Sequence, residues 1–312
     1  MNEKRAKLRR THTQIASALK KEALRQGLNI NDAYGQFFRE VFLSRLMEVG
    51  EGWVLKGGTN IYCRIPGARQ TMDLDLYRHA DPTSARSAAE LLVELMDGQK
   101  AGPYTFVLGI TERKTMAGPV ENERVMVKVI HGVGNQFSGF NIDVSGDLQV
   151  SGAVEEVTVH SSFDLSTEFQ PHSFRVFSYP MENQIADKVA ALYVRYGETP
   201  PGRASTRYHD FYDVALIASN HVVSADGLQR ALEQQCKLRE MTLPQVLAEP
   251  EPGWGQRYEE KAKRLSWGEG QLCDYATALE ISGRLLDPVL AGDPRVRGAF
   301  WDPSNSAWKD GR

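Results

Sequence analysis

The sequence has few cysteines, no long apolar run and little net charge, and each scarcity excludes a class of protein. Its three cysteines are odd in number and widely spaced, so we expect buried thiols rather than a disulfide framework or a zinc site. No segment reaches the roughly 20 apolar residues of a transmembrane helix, and no apolar signal segment follows the N-terminus. The sequence therefore predicts a cytoplasmic protein that does not enter a membrane.

Histidine pairs and a strong net charge are also missing. The seven histidines form no His-x-x-x-His or His-x-His pair, which leaves carboxylates as the expected metal ligands. The net charge of −3 does not indicate a nucleic-acid partner, but the N-terminal segment is strongly basic. Two interpretations of this segment stay open: it follows a phosphate backbone, or it is a solvated helix face with a frayed terminus. Its basic residues are Lys4, Arg5, Lys7, Arg9, Arg10, Lys20, Lys21 and Arg25.

The length and composition are those of a folded enzyme. With 312 residues, of which 41% are hydrophobic and 25% charged, the chain can form two core-bearing units or one α/β unit with helical additions. We expect basic N-terminal helices over 1–50, a sheet domain over 51–178, a helical domain over 179–290 and a tail over 291–312. The tail combines two tryptophans with Gly, Pro, Asp and Ser, and is predicted to be poorly ordered unless the indoles dock.

The most informative segment begins with a buried strand that ends at two glycines. Residues 53–55 form an apolar run, and Lys56 adds a positive charge at its end. At Gly57 and Gly58 the backbone can turn sharply and bring its N–H groups close to an anion. A short helix over 59–64 would direct its N-terminus to the same spot, which favours a bound phosphate.

A second strand, over 72–77, is predicted to carry two carboxylates on one face. Asp73 and Asp75 alternate with Leu74 and Leu76, so the acids share one face and the leucines enter a core. Neighbouring carboxylates repel each other unless a cation lies beside them, and Mg²⁺ prefers a few carboxylate oxygens together with substrate phosphate. The alternative is a solvated edge strand with alternating polar residues.

The motifs that follow one another in this chain resemble those of the AbiEii/AbiGii family of nucleotidyltransferase toxins. This family includes the mycobacterial MenT enzymes and belongs to the DNA polymerase beta-like superfamily. The resemblance extends over residues 34–217. It rests on Val-Leu-Lys-Gly-Gly-Thr at 54–59, then Arg69, Thr71, Asp73 and Asp75, then Glu182, Ala186, Asp187, Lys188 and Leu192, then Arg207, Asp210, Phe211, Tyr212 and Asp213. Asp187 stands where the family usually has Glu, and His209 where Lys is common.

The resemblance implies an α+β fold and a set of site residues. The fold is a polymerase beta-like mixed sheet flanked by helices, with a C-terminal helical bundle domain that closes the cleft over the nucleotide. The implied catalytic residues are Asp73, Asp75, Lys188 and Asp210. The implied nucleotide-binding residues are Lys56, Gly57, Gly58, Thr59 and Arg207.

The resemblance also implies a third metal-binding carboxylate on a strand beside the Asp-x-Asp strand. Asp143, in a predicted strand over 140–144, is the best-placed acid, so we expect Asp73, Asp75 and Asp143 to hold the metal. The alternative is that Asp143 is a strand-end residue at a turn with Gly146. Asp147, in the same loop, could instead be the polar residue that the family has at this turn.

Two other implied site residues also have ordinary structural interpretations. Lys188, at the edge of an apolar stripe on a helix predicted over 182–195, could reach a phosphate or simply extend along the helix surface. Arg207 and Asp210, three apart at the start of another helix, could form a surface salt bridge. Gly197 is expected to end the first of these helices.

The remaining pattern indicates a crossover helix and a sheet. A helix is predicted over 88–96 with Ser84 or Ser87 as its cap, and strands are predicted over 104–110 and 124–130. Beyond residue 224 the apolar positions recur with helical spacing, and no chemical motif is visible.

The residues at 56–75 predict nucleotidyl transfer from a nucleoside triphosphate, and the resemblance implies that the protein is the toxin of a toxin–antitoxin system. Mg²⁺, with Mn²⁺ as an alternative, would be the cofactor. By resemblance, the acceptor is the 3′ end of tRNA, so that aminoacylation and translation stop, and a cognate antitoxin is encoded nearby. Two alternatives stay open: transfer to a protein or small-molecule hydroxyl, and a catalytically inactive nucleotide-binding regulator.

Overall fold

The structure is a computed structural model that describes residues 8–111, 121–197, 202–265 and 270–311. Lys4, Arg5 and Lys7 of the basic N-terminal segment lie outside the described residues. The described chain forms two compact units. The described residues of the first unit fall within 8–63, 71–148 and 155–178, and those of the second fall within 64–70, 149–154 and 179–311.

The first unit is built on a mixed sheet. Its elements are α1 (His12–Arg25), α2 (Ile30–Val49), β1 (Trp53–Lys56), α3 (Gly57–Arg64), β2 (Asp73–Arg78), α4 (Ala85–Met96), β3 (Lys100–Ala101), β4 (Tyr104–Thr111), β5 (Asn122–His131), β6 (Asn135–Ser145), β7 (Glu155–His160) and β8 (Ser173–Ser178). The strand order is β3-β4-β5-β6-β2-β1-β8-β7. The β2–β6 and β1–β8 pairs are parallel and the others antiparallel.

Side-chain caps fix where α1, α2 and α4 begin. Thr11 and Gln14 form a reciprocal capping box at α1, which supplies partners for two backbone N–H groups at the start of that helix. Asn29 caps α2 in the same region of the chain. Ser84, rather than Ser87, accepts from the third residue of α4, so this helix begins three residues earlier than predicted.

The main hydrophobic cluster of the first unit lies on one face of the sheet. Leu74, Leu76, Ile142 and Val144 alternate along β2 and β6 and are fully buried. Phe42 of α2 packs edge-to-face on rings from the sheet, with centroid distances of 5.3 Å to Phe106 and 5.6 Å to Phe140. Because strand residues alternate between the two faces, the polar residues between these core positions lie on the opposite face.

The second unit is mainly helical. Its elements are α5 (Met181–Tyr193), α6 (Tyr208–Asn220), β9 (Val223–Ser224), α7 (Ala225–Leu238), α8 (Trp254–Leu265), α9 (Tyr275–Leu290), β10 (Ala299–Asp302) and β11 (Ala307–Asp310). An aromatic cluster fills the space between α6, α8 and α9. Trp254 is tilted on Tyr208 at 4.7 Å, and its indole Nε1 donates to the Ser205 carbonyl at 2.7 Å. The sheet with flanking helices and the helical C-terminal part confirm the predicted fold class.

Helix α5 is shorter than predicted. It ends at Tyr193 rather than Arg195, and Gly197 follows the helix instead of ending it. The cause is a backbone pairing of Tyr196 with Arg203, in which each N–H donates to the other's carbonyl at 2.9 and 2.8 Å. The N–H and carbonyl groups of Tyr196 are therefore used in this bridge and not in a further helical turn.

The C-terminal tail follows the second of the two outcomes predicted for it: it is ordered, because an indole docks. Strands β10 and β11 form a hairpin, and β10 pairs with the short strand β9. Trp301 is 1% exposed, and its indole Nε1 donates to the Ala218 carbonyl at 2.7 Å. Trp308 packs edge-to-face on Trp301 at 5.6 Å. One indole therefore docks on α6 and gives the hairpin a buried anchor.

Two further findings concern the cysteines and the membrane. Cys63, Cys236 and Cys273 are free thiols, but they are half-buried rather than buried as predicted. None of the helices in the described part of the chain is long and apolar enough to cross a membrane.

Candidate active site

The candidate active site of the first unit begins with the two aspartates of β2. Asp73 and Asp75 are half-buried, whereas Leu74 and Leu76 between and beside them are fully buried on the core side. The alternation predicted from the sequence therefore places both acids on the face opposite Leu74 and Leu76. The side chain of Asp73 is 39% exposed, so solvent and substrate can reach it.

The glycine turn approaches Asp75 closely. Gly57 is the first residue of α3 and has φ +70°, a conformation that favours glycine. A Cβ on Gly57 would lie 1.9 Å from Asp75 Oδ2, so no side chain fits between them. The Asp75 carboxylate thus lies at the start of α3, where the helix dipole favours negative charge. The helix begins at Gly57 itself, two residues earlier than predicted.

Lys56 and Thr59 flank this turn. Lys56 is the antiparallel partner of Asp75, and its ammonium donates to Ser145 Oγ at 3.1 Å. Thr59 is 3% exposed, and its hydroxyl donates to the backbone carbonyl of Asp73 at 3.0 Å. Thr59 therefore ties α3 to the first residue of β2, which fixes the acidic strand against the turn.

Strand β6 adds polar residues beside the aspartates. Since β2 and β6 are parallel, Asn141 lies next to Asp73 and Asp143 next to Asp75. Asn141 Nδ2 donates to Asp73 Oδ1 at 3.2 Å. The structure thus brings Asp143 to the strand adjacent to the Asp-x-Asp strand, as the resemblance implies. Asp147 is a turn residue with φ +46°, and its Oδ1 accepts from the Thr83 hydroxyl at 2.7 Å.

Arg124 of β5 pairs with Asp143. Its Nε and Nη2 donate to the two oxygens of Asp143 at 2.7 and 2.8 Å, a bidentate contact between a guanidinium and a carboxylate. The Nη2 atom also lies 3.8 Å from Asp73 Oδ2. The hydrogen bonds to Asp143 raise the pKa of Arg124, so the guanidinium is a permanent positive charge on this face.

These residues fit a divalent metal at the Asp73 and Asp75 pair. Mg²⁺ is commonly held by one or two carboxylates, with the rest of its shell from water and substrate phosphate. Asp143 fits less well, because both of its oxygens accept from Arg124. In the described ranges no cluster of three or more Asp, Glu, His or Cys side chains is arranged to hold a metal ion.

The second unit contains a separate buried charge cluster around Lys188. The ammonium of Lys188 donates to Asp210 Oδ1 at 2.6 Å and to Asp213 Oδ2 at 2.7 Å. Lys188 and Asp210 have side chains only 7% and 6% exposed, so Lys188 is enclosed rather than extended along the helix surface. Arg69 makes a bidentate contact with Asp213 at 2.9 and 2.7 Å.

Mutual attraction keeps Lys188 and Asp210 ionised despite their burial. Burial would lower the pKa of Lys188, but Asp210 and Asp213 raise it overall. Burial would raise the pKa of Asp210, but the charge of Lys188 above all lowers it well below its usual range. The nearby ring of His209 behaves differently, because burial lowers its pKa to about 4 and leaves it neutral at pH 7.

Arg207 lies at the accessible edge of this cluster. It precedes α6, its side chain is 50% exposed, and Nη1 lies 3.3 Å from Asp210 Oδ2. The predicted pairing of Arg207 with Asp210 is therefore present in the structure, but one partner is deeply buried. This differs from the surface salt bridge that the spacing alone suggested.

The sequence did not identify four of the residues that the structure places at these sites. Arg124 and Asn141 were not singled out as site residues, and Arg69 and Asp213 were noted only as parts of motifs. Asn141 shares the period of two with Asp143, which was a usable signal. Arg124 gave none, because only the register of β5 against β6 places it opposite Asp143.

Comparison with known proteins identifies relatives. The model of the nucleotidyl transferase AbiEii toxin family, of a type IV toxin–antitoxin system, matches residues 41–271. No curated protein sequence matches the chain. MenT4, a nucleotidyltransferase toxin from Mycobacterium tuberculosis, is 17% identical, with a TM-score of 0.54 over 90% of this chain and 99% of MenT4.

Two structures from Helicobacter pylori are more distant. JHP933 is 14% identical, with a TM-score of 0.46 over 85% of this chain and 95% of JHP933. A putative nucleotidyltransferase is 15% identical, with a TM-score of 0.45 over 88% of this chain and 98% of its own. The identity to MenT4 is low enough that this likeness shows a shared fold and no more.

Proposed function

Because the chain belongs to the nucleotidyl transferase AbiEii toxin family, whose model matches residues 41–271, we propose that it adds a nucleotide to the 3′ end of tRNA. The family makes it a nucleotidyltransferase and the toxin of a toxin–antitoxin system. The acceptor, the Mg²⁺ dependence and the block of aminoacylation and translation are our proposal. So are a cognate antitoxin encoded nearby and action in the cytoplasm.

One observation in particular supports transfer chemistry. Asp73 and Asp75 lie on one face of β2, and the carboxylate of Asp75 lies against the backbone of Gly57. Lys56 is the register partner of Asp75, so a cation, two carboxylates and a turn without side chains meet at one place. A phosphate chain needs cations and backbone N–H groups, and a metal needs carboxylates.

The reaction we propose is an in-line displacement at the α-phosphorus of the triphosphate. The terminal hydroxyl oxygen of the acceptor bonds to this phosphorus, the bond to the bridging oxygen breaks, pyrophosphate leaves, and the hydroxyl proton passes to water. When bound, Mg²⁺ would stabilise negative charge on the attacking and leaving oxygens. Asp73 and Asp75 would hold the ion.

The other residues act by position and charge. We assign nucleotide binding to Lys56, Gly57 and Gly58, whose ammonium and backbone N–H groups suit phosphate oxygens. Thr59 supports the same function by holding the Asp73 carbonyl. None of these groups forms a covalent intermediate, so catalysis depends on fixed geometry.

We propose roles in the same reaction for the charge cluster of the second unit. Lys188 and Asp210 would be catalytic, and Arg207 would bind the nucleotide. The half-exposed guanidinium of Arg207 is available to a phosphate, while Asp210 and Asp213 keep Lys188 charged and fixed. Loss of activity on removal of Lys188 would support this assignment only if the variant remains folded.

The proposal is tested by following where the label goes. The purified protein is incubated with Mg²⁺, each α-labelled nucleoside triphosphate in turn, and total RNA. We expect label on tRNA, none with Asp75→Asn, and full labelling with Glu90→Gln, an exposed acid outside the site. Label on protein or small molecules with none on tRNA would refute the acceptor. Growth inhibition that survives Asp75→Ala would instead indicate an inactive regulator.

A further inference from the structure

Among the carboxylates of the acidic face, Asp143 is paired with a guanidinium of the protein itself. Asp143 accepts two hydrogen bonds from the guanidinium of Arg124, at 2.7 and 2.8 Å. Arg124 and Asp143 are direct partners in the β5–β6 register, so the pair is built into the sheet rather than formed by loops. Both side chains are largely shielded from water, at 26% and 19% exposure, which strengthens their attraction.

The guanidinium of Arg124 also reaches towards Asp73. Its Nη2 lies 2.8 Å from Asp143 Oδ2 and 3.8 Å from Asp73 Oδ2, so one positive group lies within reach of carboxylates on two strands. A cation that bridged Asp73 and Asp143 would meet this guanidinium at close range. Like charges at such distances repel strongly on a partly shielded surface.

The formal charges of these side chains also favour one divalent ion over two. Asp73, Asp75 and Asp143 carry three negative charges, and Lys56 and Arg124 carry two positive ones. One divalent ion turns the remaining single negative charge of these five side chains into a single positive one. A second ion would leave an excess of three positive charges before the triphosphate arrives. Without Arg124 the same carboxylates could accommodate two ions.

We propose that Arg124 replaces a second metal ion: it holds Asp143 as an ion pair and restricts the site to one divalent ion, on Asp73 and Asp75. This inference rests on the metal-assisted transfer proposed above and deepens it. Asp143 then serves to position Arg124 rather than to bind metal. The guanidinium supplies a fixed positive charge that requires no metal ligand.

Counting bound ions tests the proposal without any assay of activity. Mn²⁺ serves as the probe, because its free form gives an electron paramagnetic resonance signal that disappears on binding. Titration of the full chain should show one Mn²⁺ per chain for the wild type. Arg124→Gln should bind two, because Asp143 becomes available. Arg124→Gln combined with Asp143→Asn should return to one, and Arg124→Lys, which keeps the charge, should remain at one.

The outcomes separate this inference from the proposed function. Two ions on the wild type, or a single ion on folded Arg124→Gln, would overturn the role of Arg124 and leave metal-assisted transfer intact. No ion on the wild type would overturn both the single site and the metal dependence. Melting temperatures show whether each variant folds. If Arg124→Gln does not fold, the wild-type count still decides, because one ion supports the proposal and two contradict it.

Discussion

At the residue scale, the acidic face depends on a position without a side chain. The Asp75 carboxylate lies against the backbone of Gly57. The φ of +70° at Gly57 would strain any other residue. Two separate penalties therefore apply to a substitution. One is the backbone strain of an L-residue in the left-handed region, and the other is the displacement of the Asp75 carboxylate, for which we propose a catalytic role.

Gly57→Ala should reduce nucleotide transfer at least tenfold, because the new Cβ would push Asp75 away from its position. The strained backbone should also lower the free energy of unfolding by about 1–2 kcal/mol. Gly98→Ala is the matched control. Gly98 has φ +75° but open space around it, so the stability cost should be similar and transfer unchanged. Transfer rates and urea unfolding curves measure the two effects. Equal activity in both variants would contradict the role of Gly57.

The buried charges around Lys188 produce a pH dependence whose sign can be derived. The folded-state pKa of Asp210 is lowered from an unfolded value near 3.8. A carboxylate with a lowered pKa stabilises the fold fully above its unfolded pKa, and this contribution is lost as the pH falls towards the folded value. The effect of Asp210 on stability should therefore be largest near neutral pH.

Asp210→Asn should destabilise the protein by about 3 kcal/mol or more at pH 7, because it removes one charge from a buried network. At pH 3 the difference from the wild type should be smaller. Urea unfolding at both pH values measures it. Glu280→Gln, an exposed acid on α9, controls for the change in net charge. A difference that stays constant or grows at pH 3 would contradict the ion pair with Lys188.

At the element scale, local periodicity predicted most of the sheet and the pairing of strands set the rest. The alternation of Asp73 and Asp75 with leucines is a property of a single strand, and it was visible in the sequence. The contact of Arg124 with Asp143 depends on which residues of β5 and β6 face each other. The buried Val125, Val127 and Val129 assign Arg124 to the face opposite the core. A shift of two residues would keep that face and still separate Arg124 from Asp143, so local alternation alone does not predict the pair.

The C-terminal hairpin shows the same limit. Its composition of Gly, Pro, Asp and Ser is typical of loops, and such residues form the turn between β10 and β11. What stabilises it is remote in sequence: the carbonyl of Ala218, 83 residues away, accepts from the Trp301 indole. The partner strand β9 has only two residues, which is too short for a period to appear.

Trp301→Ala should lower the free energy of unfolding by about 3–5 kcal/mol, because it leaves a large cavity and an unpaired carbonyl. Phe300→Ala is the control on the same strand. Phe300 is 47% exposed and its neighbour Trp301 is 1% exposed, so the change at 300 should cost about 0.5 kcal/mol or less. Urea unfolding followed by tryptophan fluorescence compares them. Similar losses in the two variants would show that the hairpin does not dock.

At the scale of the whole molecule, the fold is retained where the sequence is not. The chain shares 17% of its residues with MenT4, yet the two superpose with a TM-score of 0.54 over 90% of this chain. A core needs apolar residues in the right positions rather than particular ones, which explains how a fold survives such divergence. The acceptor, by contrast, is chosen by surface contacts, and neither motifs nor fold specify those.

The central claim concerns the end of the acceptor, so the most direct measurement changes that end alone. Purified tRNA is divided, and one half is oxidised with periodate, which destroys the terminal 2′- and 3′-hydroxyls. Both halves are incubated with the protein, Mg²⁺ and α-labelled nucleoside triphosphates. We predict label on intact tRNA, with an increase in length of one or more nucleotides, and none on oxidised tRNA. Equal labelling of both halves, or of neither, would contradict transfer to the 3′ end of tRNA.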